Sequence, residues 1–224
     1  MAPLVFITGA SSGIGQALAA AYARRGARLA LVARRQDALQ EWVRAQGLDA
    51  TRAAVWGADV AQSASIGAAA RECLATLGLP DVVIANAGIS IGVDTAEAAD
   101  LDVMWGVWST NVLGMAATFQ PFVAPMRARR AGTLVGVASV AGVRGLPGHG
   151  AYCSSKAAVI SYCESLRGEC RPYGVRVVTL VPGYVATPLT ARNHYAMPFM
   201  LQPDEFAARA LRAVDAGASL RVIP

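Results

Sequence analysis

"LVFITGASSGIG", residues 4–15, decides how the rest of the chain is read. A short apolar run over 4–8 predicts a strand. It ends in a turn with Gly9, Gly13 and Gly15 spaced G-x-x-x-G-x-G, and a helix leaves the turn. Glycines there permit a tight turn and let a pyrophosphate approach the main chain, while the helix N-terminus supplies amide donors and the positive end of its dipole. Gly9, Ser11, Ser12, Gly13, Ile14 and Gly15 are therefore candidate dinucleotide contacts. An ordinary strand-to-helix turn uses the same residue types.

Outward from this turn the pattern repeats. Apolar runs at 28–33, 52–57, 81–87, 132–139, 175–182 and 220–223 are nearly continuous rather than alternating, as strands covered on both faces are. Helical candidates fall between them, near 13–25, 36–46, 62–77, 97–127, 152–171 and 203–216. Such alternation implies βαβ units with right-handed crossovers. The expected fold is α/β: a Rossmann-type doubly wound parallel sheet of about seven strands in three αβα layers. Its 224 residues suit a single domain over 1–224 with the substrate site built in. No linker, low-complexity stretch or internal repeat interrupts it. The chain stops at "SLRVIP", where the seventh strand forms, so a tail beyond that strand is expected to be short or missing.

The net charge of +5 comes from scattered arginines, with pairs at 24–25, 34–35 and 129–130 but no long basic run, so no nucleic-acid partner is expected. Hydrophobic residues make up 54%, and residues 103–126 carry no charge at all. A membrane span needs about 20 apolar residues, but Ser109, Thr110, Asn111 and Gln120 make this one polar and Pro121 and Pro125 break its end. A helix buried by the sheet on one side and by a partner subunit on the other fits better. The expectation is a homodimer or homotetramer with no stable membrane insertion. The four cysteines form no C-x-x-C pair and there are two histidines, so no metal site is expected. Reduced buried thiols and no visible leader peptide point to a cytoplasmic protein.

At the end of the second strand, dinucleotide sites choose their cofactor: an acid there bonds the ribose 2′-hydroxyl of NAD, an arginine accommodates the 2′-phosphate of NADP. This chain reads "LVARRQ", with Arg34 and Arg35 and no acid, which favours NADP over NAD. The plainer alternative is two solvated arginines opening a helix.

With "NAG" at 86–88, Asn111 in the long helix, Ser139 after the fifth strand, "YCSSK" at 152–156 and "PGYVATP" at 182–188, the chain resembles the classical short-chain dehydrogenase/reductase family over nearly its whole length. The resemblance implies roles. Tyr152 is the general acid/base, Ser139 holds and polarises the substrate carbonyl, and Asn111 anchors a water that links Lys156 to solvent. Asp59 and Val60 contact the adenine side, and Asn86, Ala87 and Gly88 border the adenosine ribose. Pro182, Gly183, Val185 and Thr187 contact the nicotinamide end. A purely structural role for the buried amide of Asn111 is also open.

Lys156 is the only lysine among 20 basic residues. Positions i and i+4 share a helix face, which places it beside Tyr152. Free tyrosine titrates near ~10, and a neighbouring cation stabilises its phenolate. The family's lysine also bonds the nicotinamide ribose, and arginine's broad fork suits neither task in that space. Candidate substrate walls are Ser90–Val93, Ala141–Val143, Pro147–His149, Tyr184 and an apolar lid over 189–201 that includes His194 and Tyr195. The expected activity is an NADP(H)-dependent oxidoreductase acting on a small-molecule carbonyl or secondary alcohol. The alternative is a non-catalytic, cofactor-sensing protein on the same fold, which has no need of Ser139, Tyr152 and Lys156 together.

Overall fold

The structure is a computed structural model that describes residues 2–193 and 196–224. Among these, seven parallel strands form one sheet in the order β3-β2-β1-β4-β5-β6-β7. They are β1 Leu4–Thr8, β2 Arg28–Ala33, β3 Ala53–Gly57, β4 Val82–Ala85, β5 Thr133–Val137, β6 Arg176–Pro182 and β7 Leu220–Ile223. The connecting helices are α1 Gly13–Arg24, α2 Gln36–Ala45, α3 Ser63–Thr76, α4 Asp100–Trp108, α5 Gly114–Arg129, α6 Gly150–Cys170 and α7 Pro203–Asp215.

Continuous apolar runs make these strands because both faces are covered. Along β1, Val5 and Ile7 enter one core with Leu18 and Tyr22 of α1, Leu39 of α2 and Phe206 of α7. Leu4 and Phe6 enter the other, with Ile66 of α3, Phe119 and Phe122 of α5, and Val159 and Cys163 of α6. The result is the expected three layers. The chain leaves β1 towards β2 and β3 and later returns to the other side of β1 as β4, so a crevice opens beyond the carboxyl ends of β1 and β4.

The uncharged segment departs from its sequence reading. It forms α4, a π-helical turn at Ser109–Leu113 and α5, and Pro121 and Pro125 lie inside α5 without ending it. An interior proline costs roughly 3 kcal/mol. Full burial of Phe119, Phe122 and Met126, at about 1.5–3 kcal/mol each, offsets the two prolines. The π turn gives no signal in the hydrophobic pattern. Burial on both sides is also incomplete within one protomer: Leu101, Trp105 and Leu113 are exposed. Among the described residues no helix is long and apolar enough to cross a membrane.

Candidate active site

The turn after β1 is held from below by hydroxyl and amide groups. Thr8 is buried, and its Oγ1 accepts from the Asn86 and Ala87 main-chain N–H groups at 3.2 and 3.3 Å. Asn86 Nδ2 donates to the Thr8 and Gly9 carbonyls at 3.0 and 3.2 Å. These bonds weld the end of β1 to the end of β4 across the crevice. Gly9 has φ +67°, and a side chain there would put its Cβ 2.8 Å from Ala87 Cα. The backbone of this turn is therefore both left-handed and crowded. Ser12 precedes α1 in an extended conformation, and its side chain makes no cap bond, so it does not occupy the first amide donors of the helix.

From this turn a cavity of about 790 Å³ runs along the carboxyl ends of six strands. At one end it is lined by Ser11, Ser12, Gly13 and Ile14 together with Arg34, Arg35, Asp59 and Val60. Asn86, Ala87 and Gly88 form its middle. Ser139, Tyr152, Lys156, Pro182, Gly183, Val185 and Thr187 form the other end. Arg34 and Arg35 are exposed, and neither forms an ion pair with another described residue. Two sequence candidates stand outside the lining. Gly15 packs beneath the turn, where an added Cβ would collide with the Gly9 carbonyl and meet Asn86 Nδ2. Asn111 lies behind the wall.

Asn111 is buried in the π turn, and its side chain is fully committed. Oδ1 accepts from Ile89 N at 2.8 Å, while Nδ2 donates to Ile89 O and to Ser155 Oγ, both at 2.9 Å. Ser155 Oγ donates in turn to the Tyr152 carbonyl at 2.7 Å. One amide thus joins the loop after β4 to the helix that carries Tyr152. Ser155 was not singled out from the sequence; its place three residues after Tyr152 is the only signal. Thr190 is a second such residue. It lines the cavity and donates to the Val185 carbonyl at 2.6 Å, and the Thr187 amide donates to its Oγ1 at 3.0 Å.

Ser139, Tyr152 and Lys156 are brought together by the docking of α6 against the end of β5. Ser139 Oγ accepts from Ala141 N at 3.2 Å and so caps the 3₁₀ turn Val140–Gly142. Gly142 presses that turn onto α6: an added Cβ would lie 2.6 Å from the Lys156 carbonyl carbon. Lys156 is 5% exposed. Its Nζ donates to the Val137 carbonyl at 2.8 Å and lies 5.8 Å from the centroid of the Tyr152 ring. A Cβ on Gly88 would approach Nζ to 3.4 Å and Asn111 Oδ1 to 3.3 Å, so Gly88 closes the space over the ammonium. Burial pulls the Lys156 pKa down from 10.5 to about 8.

Among the described residues, part of the expected substrate walls meets a cavity. Leu189 and Thr190 line the cavity. Val93 and Gly148 border a second cavity of about 490 Å³. His194 and Tyr195 of the expected lid lie outside the described residues. No group of three metal-binding side chains occurs among the described residues.

Residues 3–197 match the short chain dehydrogenase family. An uncharacterized oxidoreductase of Myxococcus xanthus is 40% identical over 199 residues, 88% of this chain and 77% of that protein. Dehydrogenase/reductase SDR family member 7B of Bos taurus is 36% identical over 196 residues, 84% of this chain and 59% of that one. The chain thus spans between about three fifths and three quarters of these relatives' lengths. Among solved structures, L-sorbose reductase from Gluconobacter frateurii, complexed with NADPH and L-sorbose, superposes with a TM-score of 0.88 at 27% identity, covering 99% of this chain and 95% of that one. The chain belongs to the short-chain dehydrogenase family, oxidoreductases that act on hydroxyl or carbonyl groups with a nicotinamide cofactor.

The buried ammonium makes a specific prediction. A base whose folded pKa is lowered binds fewer protons than the unfolded chain between about 8 and 10.5, so Lys156 makes the cofactor-free fold gain stability as pH rises through that window. Because it is the only lysine, ¹³C-labelled lysine yields one side-chain signal. That signal should titrate with a midpoint of about 8; a midpoint near the ordinary 10.5 would contradict the burial argument.

Proposed function

We propose that this chain is an NADP(H)-dependent oxidoreductase interconverting a carbonyl and a secondary alcohol, with Tyr152 as the group that exchanges the proton. The observation that carries this reading is that Ser139, Tyr152 and Lys156 line the same cavity as the glycine turn and Arg34–Arg35. The residues present fit a dinucleotide. The volume lies within the usual range for cofactor pockets, and the uncapped start of α1 suits a pyrophosphate.

In this reading Gly9, Ser11, Ser12, Gly13 and Ile14 hold the pyrophosphate, with Gly15 supporting the turn from beneath. Arg34 and Arg35 take the 2′-phosphate, Asp59 and Val60 flank the adenine, and Asn86, Ala87 and Gly88 follow the adenosine ribose. Lys156 bonds the nicotinamide ribose, and Pro182, Gly183, Val185 and Thr187 surround the nicotinamide. NADP(H), when bound, supplies or accepts the hydride. The chain's own side chains manage the substrate oxygen. Ser139 Oγ spends a lone pair on the Ala141 amide, which leaves its hydrogen to donate to that oxygen. Tyr152 gives the oxygen a proton in reduction and takes it back in oxidation. The Lys156 ammonium below the ring favours the phenolate. Asn111 acts as a positioning residue, holding Ile89 and, through Ser155, the first turn of α6.

Titration of the purified protein with both reduced cofactors, followed by turnover on a carbonyl and alcohol panel, tests the reading. NADPH should bind roughly 10- to 150-fold more tightly than NADH, the worth of one charge-assisted hydrogen bond, and Arg34→Ala should shrink the gap. Tyr152→Phe should keep cofactor affinity and lose turnover. Equal affinities contradict the NADP assignment. Cofactor binding without turnover of any compound favours the sensing alternative.

We infer also that the protomer pairs about a twofold axis through α4 and α6, as a dimer or as half of a tetramer. Trp105, 71% exposed, and Leu113 are exposed on the uncharged segment and Leu101 just before it, and Trp108 Nε1 donates to Ser154 Oγ on α6 at 3.1 Å. Large apolar side chains this exposed on neighbouring turns commonly mark a surface that pairs with another protein. Sedimentation at micromolar concentration should show a species of at least twice the protomer mass; monomer alone contradicts the pairing. A cytoplasmic location is consistent with four cysteines that are all unpaired and buried.

A further inference from the structure

Three segments, 89–95, 140–149 and 184–201, adjoin residues that line the Ser139–Tyr152 end of the cavity. Each is anchored at the site. Ile89 is clasped by Asn111, and both Ile89 and Leu189 line the cavity. The 140–149 segment begins at the turn capped by Ser139. It is joined to the first segment by a bond from Val93 N to the Gly148 carbonyl at 2.9 Å. The third segment closes on Val185, which forms a bridge with Leu201. Ala186 N donates to Leu201 O and Leu201 N to Tyr184 O, both at 2.9 Å.

The outer parts of these anchored segments carry large apolar side chains in water. Phe199 is 84% and Val143 75% exposed, and Ile91, Leu146, Leu189 and Met200 are exposed as well. Of these six, Leu189 lines the cavity and the other five lie on segments anchored at it, where exposed apolar side chains of this sort mark a ligand groove. Charge is sparse there. The three segments hold Asp94, Arg144 and Arg192 and no other Asp, Glu, Lys or Arg, and Asp94 Oδ1 already accepts from Ala96 N at 3.0 Å. Each of the two arginines stands alone on its segment, whereas a carboxylate or phosphate is commonly held by paired cationic donors.

We infer that the pocket takes an uncharged carbonyl or alcohol whose non-reacting part is a bulky hydrocarbon, packed between these three segments. The inference rests on the redox chemistry proposed for Ser139 and Tyr152 and adds to it the class of substrate. A hydrocarbon entering the opening leaves water together with Phe199, Met200, Val143 and Leu146, so each added methylene strengthens binding. A polar or anionic tail would lose its hydration without a partner.

The test is a homologous series of 2-alkanones, from butanone to undecanone, reduced with NADPH, alongside keto acids of equal length carrying a terminal carboxylate. kcat/KM should rise roughly fourfold per methylene until the pocket is filled, and the keto acids should be at least about tenfold poorer. Leu146→Ser combined with Phe199→Ser should flatten the rise and leave the NADPH dissociation constant unchanged. Turnover with no dependence on chain length, or with a preference for the keto acids, overturns the inference while the redox reading stands. If no ketone is reduced, the redox reading fails, and calorimetry of the same ketones against the Tyr152→Phe protein saturated with NADPH still decides. Affinity that climbs with chain length upholds the apolar pocket, and affinity indifferent to it overturns the pocket.

Discussion

A single ammonium, buried with no carboxylate partner among the described residues, constrains everything around it. Lys156 is held by one main-chain carbonyl, that of Val137 at the end of β5, and burial makes its charge expensive. The fold accepts the cost by bringing backbone close to it. Gly88 covers the ammonium without a side chain, and Gly142 lets the Ser139 turn lie directly on α6. A guanidinium would carry five donors into a space that offers one carbonyl, and its planar fork would meet Gly88. The choice of lysine at this one place in an arginine-rich chain follows from that geometry.

The rest of the site transmits the same constraint. If α6 slid along the sheet, Lys156 would lose Val137 and Tyr152 would leave the cavity. Two devices oppose such a slide. Val159, Cys163 and Leu166 lock α6 into the second core. Asn111, raised into place by the π turn, ties the first turns of α6 through Ser155 to the loop at Ile89. Every polar atom of that amide is satisfied, so a buried polar side chain here specifies position at little cost. A π turn within a long helix is a strained feature that tends to occur at functional sites, and here its product is the placement of one amide.

Much of this was legible in the sequence because the signals were redundant. Strands buried on both faces leave unbroken apolar runs, and all seven appear where those runs lie. The glycine turn, the paired arginines and the Tyr152–Lys156 spacing are local patterns, and a strand-by-strand alternation places them all at one edge of the sheet. What could not be read is what depends on packing. Pro121 and Pro125 look like helix breakers until Phe119, Phe122 and Met126 are seen to be buried beside them. The π turn has no composition of its own. Thr8, Ser155 and Thr190 act through hydroxyl bonds whose partners are distant in sequence or are main-chain atoms, so their residue types alone carry no signal. Gly15 was read as a cofactor contact and Asn111 as the anchor of a water beside Lys156, and neither lines the cavity.

The central claim is that Lys156 acts as a compact, buried donor and not merely as a positive charge. Steady-state kinetics of Lys156→Arg, with folding verified by circular dichroism, tests it most directly. If compactness is what matters, kcat/KM falls at least ~100-fold, about 2.7 kcal/mol of lost transition-state stabilisation, although the charge survives. A folded Lys156→Arg enzyme with near wild-type kcat/KM would contradict the account.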